Sequence, residues 1–336
     1  MTATIPHNRP TVGKEEAAAA AKVIETGYLA GGQQTPLFED EICEFLGLPA
    51  GHAVAVTSGS SALFLALKVL GLGQRPVAIP SYVCSSLKHA CVMNQCRPTY
   101  LDNQADLPVV DTTSATNASA LIYPYMYGFA SALPSHQCVI EDLAQALGAS
   151  YGGQKLGTLG DIGVLSFYAT KMLTSGGQGG MLVSKDKAMI DAARDFLEFD
   201  QRVDDQARFN LHITEVQAAI GRVQLRRLPD FIEKRAELWD IYQSYGLPLL
   251  DINDNKAQHV RYRVIVKTPS PENLVKFLHQ QQVTAINPFN ETELLDKGSI
   301  NAAKLCRQTV SLPLYPSLTL EQAKYIAEHT RIGLDL

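Results

Sequence analysis

A single lysine, Lys171, stands between an apolar segment and a glycine-rich turn, where a strand should end and a loop begin. The apolar segment is Asp161–Leu165, and the turn is Gly176–Gly180. An amine held against an apolar strand end is poorly solvated, which favours the neutral form that attacks a carbonyl. Lys171 is therefore a candidate for Schiff-base chemistry. Because most lysines are solvated surface residues, other motifs must support this interpretation.

A second motif is the small-residue turn Ser58–Ser61, which joins a short apolar segment to an apolar helical segment. A helix N-terminus offers unpaired N–H groups and a partial positive charge, and small hydroxyl residues let a phosphate approach closely. The turn is a candidate phosphate site. An ordinary helix N-cap is the alternative, because Ser and Gly are common there.

A third motif places Glu141 and Asp142 at the end of a predicted buried strand, with Gln145 shortly after. Ligands of parallel α/β folds bind at that edge of the sheet. Asp142 could pair with a protonated ring nitrogen and Gln145 could donate to a phenolate oxygen, although helix capping would also explain the acid. With Lys171 and Ser58–Ser61, the chain supplies what pyridoxal phosphate (PLP) requires of a protein.

Composition excludes several classes of function. The 336 residues carry a net charge of −5 and no basic run, so nothing favours nucleic acid as a partner. Six cysteines lack zinc-ligand spacing, so no metal site is expected. No leader pattern and no apolar stretch of about 18 residues is visible, so we expect a cytoplasmic protein without a membrane partner.

Short apolar segments alternate with helical ones, which indicates a mainly parallel sheet covered on both faces. Helices are predicted from Lys14 to Ile24 and from Pro36 to Phe45. The predicted strands are Ala53–Val56, Val77–Pro80, Pro98–Leu101, Ala120–Tyr123, Val139–Glu141, Ile162–Phe167 and Met181–Val183. Two crossovers, Asp102–Asn117 and Phe129–Gln137, leave room for little helix.

The pattern of predicted elements changes in the C-terminal part of the chain. A long helix is predicted over Ile213–Tyr245, bent or interrupted at Pro229. A strand over Arg261–Val266 and helices over Pro271–Gln281 and Thr319–His329 then suggest a small α+β domain. We therefore expect a large domain over residues 1–245, whose N-terminal segment could pack on a small domain over residues 246–336.

Taken in order, these motifs resemble the DegT/DnrJ/StrS-type family of PLP-dependent sugar aminotransferases. The resemblance covers nearly the whole chain. It rests on Arg9–Gly13, Gly27–Gly32, Phe38–Glu39, Ser58–Leu63, Pro80–Tyr82, Glu141–Ala146, Gly160–Gly163, Ser166–Lys171, Asn210, Gln217–Gly221, Leu225–Leu228 and Leu312–Pro316.

The resemblance implies the three-layer α/β architecture of PLP transferases of fold type I, with a mainly parallel central sheet and a smaller C-terminal α+β domain. It implies that Lys171 forms the internal aldimine, that Asp142 faces the pyridine nitrogen, and that Gln145 lies near the phenolic oxygen. The residues implied to hold the phosphate are Gly59, Ser60, Ser61, Ser166 and, from the neighbouring subunit, Asn210. A homodimer with shared active sites is therefore implied.

Four residues depart from the family pattern. Cys84 stands where an aromatic residue usually stacks on the cofactor, Tyr125 replaces a His, His212 replaces an Arg, and Gln178 replaces an acid. The residues implied to border the substrate are Tyr28, Tyr125, His212 and Phe289, although packing is an alternative reason for Tyr28 and Phe289.

The function implied is transfer of an amino group from an amino acid to a keto-sugar. The expected donor is L-glutamate, and the expected acceptor is a nucleotide-linked keto-deoxysugar. Such a reaction belongs to amino-sugar, surface-polysaccharide or secondary-metabolite biosynthesis. A dehydratase branch of the family carries His in place of Lys171, so the lysine favours transamination. A PLP-dependent lyase or aldolase acting on an amino acid, and a non-catalytic PLP-binding regulatory protein, are the alternatives.

Overall fold

The structure, a computed structural model, describes residues 4–335, which form an α/β fold around a seven-stranded sheet. Its strands are β1 (Ala53–Val56), β2 (Pro76–Pro80), β3 (Arg97–Leu101), β4 (Ala120–Pro124), β5 (Val139–Asp142), β6 (Ser150–Tyr151), β7 (Gln154–Lys155), β8 (Ile162–Ser166), β9 (Gly180–Val183), β10 (Ala257–Gln258), β11 (Val264–Lys267) and β12 (Thr309–Leu312). The central sheet has the order β1-β9-β8-β5-β4-β2-β3.

This sheet is parallel from β3 through β2, β4 and β5 to β8, whereas β9 runs antiparallel to both β8 and β1. Alternate side chains of each strand enter opposite cores, as Val54 and Ala55 of β1 do. The predicted fold class, a mainly parallel sheet covered on both faces, is confirmed. The carboxyl ends of β4, β5 and β8 consequently share one edge.

Helices cover both faces of the sheet. They are α1 (Lys14–Thr26), α2 (Gln34–Leu46), α3 (Gly59–Val69), α4 (Ser86–Met93), α5 (Lys187–Leu197), α6 (Glu215–Ser244), α7 (Pro271–Gln280), α8 (Ile300–Gln308) and α9 (Leu320–Leu334). Buried residues of α3, α4 and α5 join the core on one face, and those of α2 and the first half of α6 join the core on the other. The α3 helix thereby lies with its N-terminus at the edge where the parallel strands end.

The C-terminal part is built on the antiparallel pair β11 and β12; α7 packs against β12, and α9 packs against α7 and α6. The N-terminal segment lies beside it, because Ile5 N–H donates to the Gln282 carbonyl at 2.8 Å and the Ile5 carbonyl accepts from Thr284 N–H at 2.9 Å. One apolar core runs from the central sheet into this part. A division into domains at residue 245 stays a prediction.

The main differences from the predictions concern three elements. The helix α6 continues through Pro229, because buried residues before and after it, such as Leu228 and Phe231, outweigh a lost hydrogen bond that costs about 3 kcal/mol. Arg261 has a φ of 50°, so β11 begins only at Val264. The last helix extends beyond His329 to Leu334.

Some features have no counterpart in the sequence-based prediction, above all the small sheet of β10, β6 and β7. The two short crossovers contain, as expected, no α-helix. Within residues 4–335, no helix is both long and apolar enough to span a bilayer, and no group of three or more His, Cys, Asp or Glu side chains is arranged to hold a metal ion.

Candidate active site

A cleft of about 540 Å³ opens at the carboxyl ends of the parallel strands, which is the edge where such sheets bind ligands. It brings together most of the residues that the sequence singled out, although they come from distant parts of the chain. The predicted residues that line it are Gly59, Ser60, Cys84, Tyr125, Asp142, Gln145, Ser166, Lys171, Gln178 and Phe289.

The Ser58–Ser61 turn forms the N-terminus of α3 at one wall of this cleft. Ser58 is the N-cap, and its Oγ accepts the Ser61 N–H at 3.0 Å. The Ser61 hydroxyl is itself 2.8 Å from Thr57 Oγ1. The N–H groups of Gly59 and Ser60 have no acceptor among residues 4–335. Capping and anion binding are thus compatible here, because two amides at the positive end of the helix stay available.

Close packing brings the Ser166 hydroxyl beside these amides. A Cβ added to Gly59 would lie 2.8 Å from Ser166 Cβ and 3.0 Å from its Oγ. Gly180, the β9 partner of Ser166, approaches equally closely, since a Cβ there would lie 2.3 Å from the carbonyl carbon of Ser58. The two glycines therefore allow the end of β8 to touch the start of α3.

Lys171 lies in the loop between β8 and β9, and the glycine-rich turn closes this loop. The Phe167 N–H donates to the Gly179 carbonyl at 2.8 Å, and the Ala169 N–H donates to the Gly177 carbonyl at 3.1 Å. Gly177 has a φ of 119°, which side-chain-bearing residues rarely adopt. The turn thus folds back along the loop and fixes Lys171 beyond the end of β8.

The ring of Tyr262 supports the amine of Lys171, whose Nζ lies 5.6 Å from the ring centroid. Two guanidinium groups, those of Arg235 and Arg263, lie 5.8 and 5.7 Å from the same centroid. Burial acts to raise the pKa of the Tyr262 phenol, but these three cations and a hydrogen bond to Thr170 outweigh it and hold the pKa below its usual value. The cleft is therefore strongly cationic around Tyr262.

Asp142 ends β5 and is 6% exposed. Its Oδ1 accepts the Ala144 N–H at 2.9 Å, and within the described part of the chain no donor engages Oδ2. Burial raises the pKa of Asp142, although the Ala144 N–H and the charge of Lys171 act in the opposite direction. A buried carboxylate with one oxygen unused is suited to a cationic N–H partner.

The Gln145 side chain has a fixed orientation, because its Oε1 accepts the Tyr127 N–H at 2.7 Å. Tyr127 has a φ of 60°, and its hydroxyl lies 2.7 Å from the Tyr82 hydroxyl in the core. An amide whose oxygen is engaged presents its NH₂ group. Gln145 can therefore offer a donor to the cleft.

Glu141 precedes Asp142 on β5 and is fully buried in the core. Its carboxylate accepts the N–H groups of Gly157, Leu159 and Gly160 at 2.7 to 2.9 Å. The Tyr125 hydroxyl donates to it at 2.8 Å. Tyr125 lines the cleft, but its hydroxyl is hydrogen-bonded to Glu141 in the core. A substrate contact by Tyr125 therefore stays a prediction.

Replacing Tyr125 with Phe should therefore lower stability more than activity. The variant leaves buried Glu141 without one of its four donors, which costs about 1 to 3 kcal/mol. Chemical denaturation should show that loss, while the KM for either substrate changes less than about threefold. A large rise in the acceptor KM without lost stability would instead assign the Tyr125 hydroxyl to the substrate.

A family model described as the DegT/DnrJ/EryC1/StrS aminotransferase family matches residues 10–331. The chain belongs to this aminotransferase family. The resemblance seen in the sequence is thereby confirmed, and the match includes every predicted site residue.

Curated relatives of this aminotransferase match it along its whole length. The spore coat polysaccharide biosynthesis protein SpsC of Bacillus subtilis is 28% identical, over 97% of this chain and 96% of its own. The dTDP-4-dehydro-2,3,6-trideoxy-D-glucose 4-aminotransferase of Saccharopolyspora spinosa is 30% identical, over 96% and 94%. The similarity therefore concerns the complete enzyme fold rather than one module.

Solved structures agree with this fold. The aminotransferase TlmJ of Streptoalloteichus hindustanus superposes with a TM-score of 0.90 at 25% identity, with 99% of both chains covered. A putative sugar aminotransferase of Streptococcus pneumoniae, 20% identical over 99% of both chains, has the same TM-score and was solved in a PLP form. Aminotransferases of this family use PLP.

The residues of this aminotransferase fit that cofactor. The available amides of Gly59 and Ser60 and the hydroxyl of Ser166 suit a phosphate, and that hydroxyl can lie beside the amides because residue 59 lacks a Cβ. At the other end, Asp142 combines burial, a raised pKa and an open oxygen, which suits a pyridinium N–H. Lys171 lies in the same cleft.

Replacing Gly59 with Ala should weaken cofactor binding. The new methyl would push Ser166 away from the amides of α3, and overpacking of this kind costs about 1 to 3 kcal/mol. Titration of the apoprotein with PLP should show a Kd raised about 10-fold or more. Gly73→Ala is the control, since its Cβ would meet only the Asn94 carbonyl at 3.6 Å; equal affinities for the two variants would contradict the prediction.

Four predicted residues lie outside the cleft lining of this chain. Ser61 is one of them, and its hydroxyl lies 2.8 Å from Thr57 Oγ1 and 2.9 Å from Ser58 Oγ. Asn210 and His212 stand in an exposed segment beside β1, where His212 Nε2 is 3.1 Å from the Leu197 carbonyl. Tyr28 is 73% exposed and borders a separate cavity of about 640 Å³ between α1 and α6. That cavity is larger than the cleft but contains none of the residues proposed to bind the cofactor.

Tyr262 and Arg263 are two charged or aromatic cleft residues that the sequence did not reveal as part of the site. They entered the prediction only as members of a C-terminal strand, and nothing in a Tyr-Arg pair shows that it meets a lysine ninety residues earlier. Their role depends on how the C-terminal part packs on the central sheet, which is a long-range contact.

Proposed function

We propose that this aminotransferase transfers an amino group from an amino acid, with L-glutamate as donor, to the keto group of a nucleotide-linked deoxysugar. One observation carries the proposal: a single cleft contains Lys171, the buried Asp142 and the contact between Gly59 and Ser166. The Saccharopolyspora spinosa relative, whose name specifies a dTDP-linked dehydro-sugar, supports the acceptor. The SpsC relative supports a place in polysaccharide biosynthesis.

In this proposal, Lys171 Nζ would hold PLP covalently. When an amino acid is bound in its place, the same amine would be free to accept the proton from the donor Cα and to return it on the cofactor side of the nitrogen. PLP supplies the electron sink that makes this carbon acidic. With PLP bound, Asp142 Oδ2 would keep a proton on the ring nitrogen, and the Gln145 NH₂ would donate to the phenolic oxygen.

Retention of the untethered cofactor depends on the phosphate contacts. We assign these to the Gly59 and Ser60 amides, the hydroxyls of Ser60, Ser61 and Ser166, and Asn210 of the partner subunit. Asn210 is exposed in one chain, as a contact with a second copy requires. The proposal therefore includes a homodimer with shared sites. Cys84 would border the cofactor ring without the stacking that an aromatic residue gives. A cytoplasmic location stays part of the proposal.

The test follows the two half-reactions separately. The PLP-loaded protein should have a visible absorbance band that disappears on addition of L-glutamate, with one equivalent of 2-oxoglutarate released. A dTDP-linked 4-keto-deoxysugar should then restore the band and yield the amino-sugar. Consumption of the amino acid without 2-oxoglutarate would indicate a lyase instead, and a stable band that no amino acid changes would indicate a binding protein without catalysis.

A further inference from the structure

Arg263 is a cation of the cleft that the chemistry above does not use. Its side chain is half-buried in the cleft wall beside Tyr262. Among residues 4–335, no carboxylate pairs with it, and its one hydrogen bond is a long contact of 3.5 Å to Ser311 Oγ. A guanidinium has five N–H donors in a planar fork, so most of its capacity is open.

Neutral groups orient this guanidinium from behind. Ser311 is fully buried on β12, and its Oγ lies 2.9 Å from His7 Nε2. Burial and the charge of Arg263 lower the pKa of His7 to about 3, so at neutral pH the ring is uncharged. A hydroxyl oxygen has two lone pairs, so Ser311 Oγ can accept from Arg263 whichever way the His7–Ser311 hydrogen bond runs. The arrangement directs the arginine without neutralising it.

Arg263 and Lys171 line the same cleft, and their charged groups lie 5.7 and 5.6 Å from the centroid of the Tyr262 ring. A substrate that carries both an amine and a carboxylate suits these two groups. Lys171 Nζ marks the atom that the donor amine replaces, and in an α-amino acid only one carbon separates that amine from a carboxylate. A planar fork also matches a carboxylate better than a point charge would.

We propose that Arg263 is the binding residue for a carboxylate of the amino-acid donor. The inference rests on the proposed function, since it presumes an amino-acid substrate at Lys171. The cofactor phosphate is a less favoured ligand for Arg263, because the N-terminus of α3 and Ser166 already offer donors to it. The other anion that Arg263 could bind is the diphosphate of a nucleotide-linked acceptor.

The experiment compares holoenzymes of wild type, Arg263→Gln, Arg263→Lys and the control Lys267→Gln. The control removes an exposed positive charge from β11, the strand that follows Arg263. Stopped-flow absorbance would give the half-saturating concentration of L-glutamate and of L-alanine in the first half-reaction. Cofactor retention and the acceptor KM would be measured in parallel, and the visible band shows that each variant is folded and loaded.

We expect Arg263→Gln to raise the half-saturating L-glutamate concentration about 10- to 100-fold, Arg263→Lys to raise it less, and Lys267→Gln to change it less than about twofold. An equal rise for L-alanine would assign the contact to the α-carboxylate, and a rise for L-glutamate alone would assign it to the side-chain carboxylate; both support the inference. Unchanged donor saturation, or an effect confined to PLP retention or to the acceptor KM, would overturn it while leaving the proposed function intact. Failure of wild type to react with any amino acid would overturn both.

Discussion

Replacing Lys171 with Ala should reduce the rate of transamination by at least about 10⁴-fold. The variant loses both the amine that holds the cofactor and the group that moves the proton at the donor carbon, and a proton-transfer group alone contributes about 10²- to 10⁴-fold. Lys171 lies in a loop and not in the apolar core, so the fold should persist. Steady-state assays with the donor and the keto-sugar would measure the loss.

The matched control is Lys185→Ala, which removes an exposed lysine just after β9 and outside the cleft. This variant should keep at least half of the wild-type rate. The visible band of the PLP-loaded protein should be lost in Lys171→Ala and retained in Lys185→Ala. A Lys171→Ala protein with more than a hundredth of the wild-type rate would contradict the role given to this lysine.

Replacing Asp142 with Asn should lower kcat about 10³-fold, which corresponds to about 4 kcal/mol of transition-state stabilisation. Asn keeps an oxygen that can accept the Ala144 N–H but carries no negative charge, so it cannot hold a proton on the ring nitrogen. Single-turnover measurement of the first half-reaction isolates this effect. A rate within tenfold of wild type would show that Asp142 only supports the backbone.

The same substitution should not destabilise the apoprotein at neutral pH. The pKa of Asp142 is raised in the folded state, so the folded protein binds a proton more tightly than the unfolded chain does, and stability falls as pH rises from the ordinary value of 3.8 through the folded pKa. Asn carries no such cost. Urea unfolding of the apoproteins should therefore show the variant as at least as stable as wild type at pH 7.5, with the difference shrinking toward pH 4.

Two controls accompany the stability measurement: a substitution of an exposed carboxylate, and the same Asp142 comparison made with PLP bound. Asp186→Asn, at the exposed N-cap of α5, should show no comparable gain in stability between pH 4 and pH 7.5. In the presence of PLP the order of the Asp142 proteins should reverse, because only the wild-type carboxylate pairs with the ring nitrogen. A wild-type apoprotein that is clearly more stable than Asp142→Asn at pH 7.5 would indicate that Asp142 has another cationic partner.

Much of the central sheet was predictable from the sequence, because its strands are short, apolar and flanked by turns. For β1 the predicted and observed bounds coincide, and β4 and β5 differ from prediction by one residue. At Pro229 a bend or an interruption was expected, and the interruption does not occur, because packing on both sides keeps α6 continuous. The two-residue strands β6, β7 and β10 were not predictable, because so short a segment has no periodicity of its own.

The site was predictable where a motif is local. The cap at Ser58 and the carboxylate at Asp142 stand at element ends that the sequence reveals. Contacts between distant segments were not: Tyr262 reaches Lys171 only through the packing of β11, and the Tyr125 hydroxyl finds Glu141 across neighbouring strands. Such pairs depend on register and on the approach of two parts of the chain, for which a single sequence has no local signal.

The central claim is that Lys171 is the residue that binds the cofactor covalently. Borohydride reduction of the PLP-loaded wild-type protein, followed by proteolysis and mass spectrometry, tests it most directly. We predict one modified peptide, with the mass of the reduced cofactor on Lys171. Modification of a different lysine, or no modified peptide from a protein that shows the visible band, would contradict the claim.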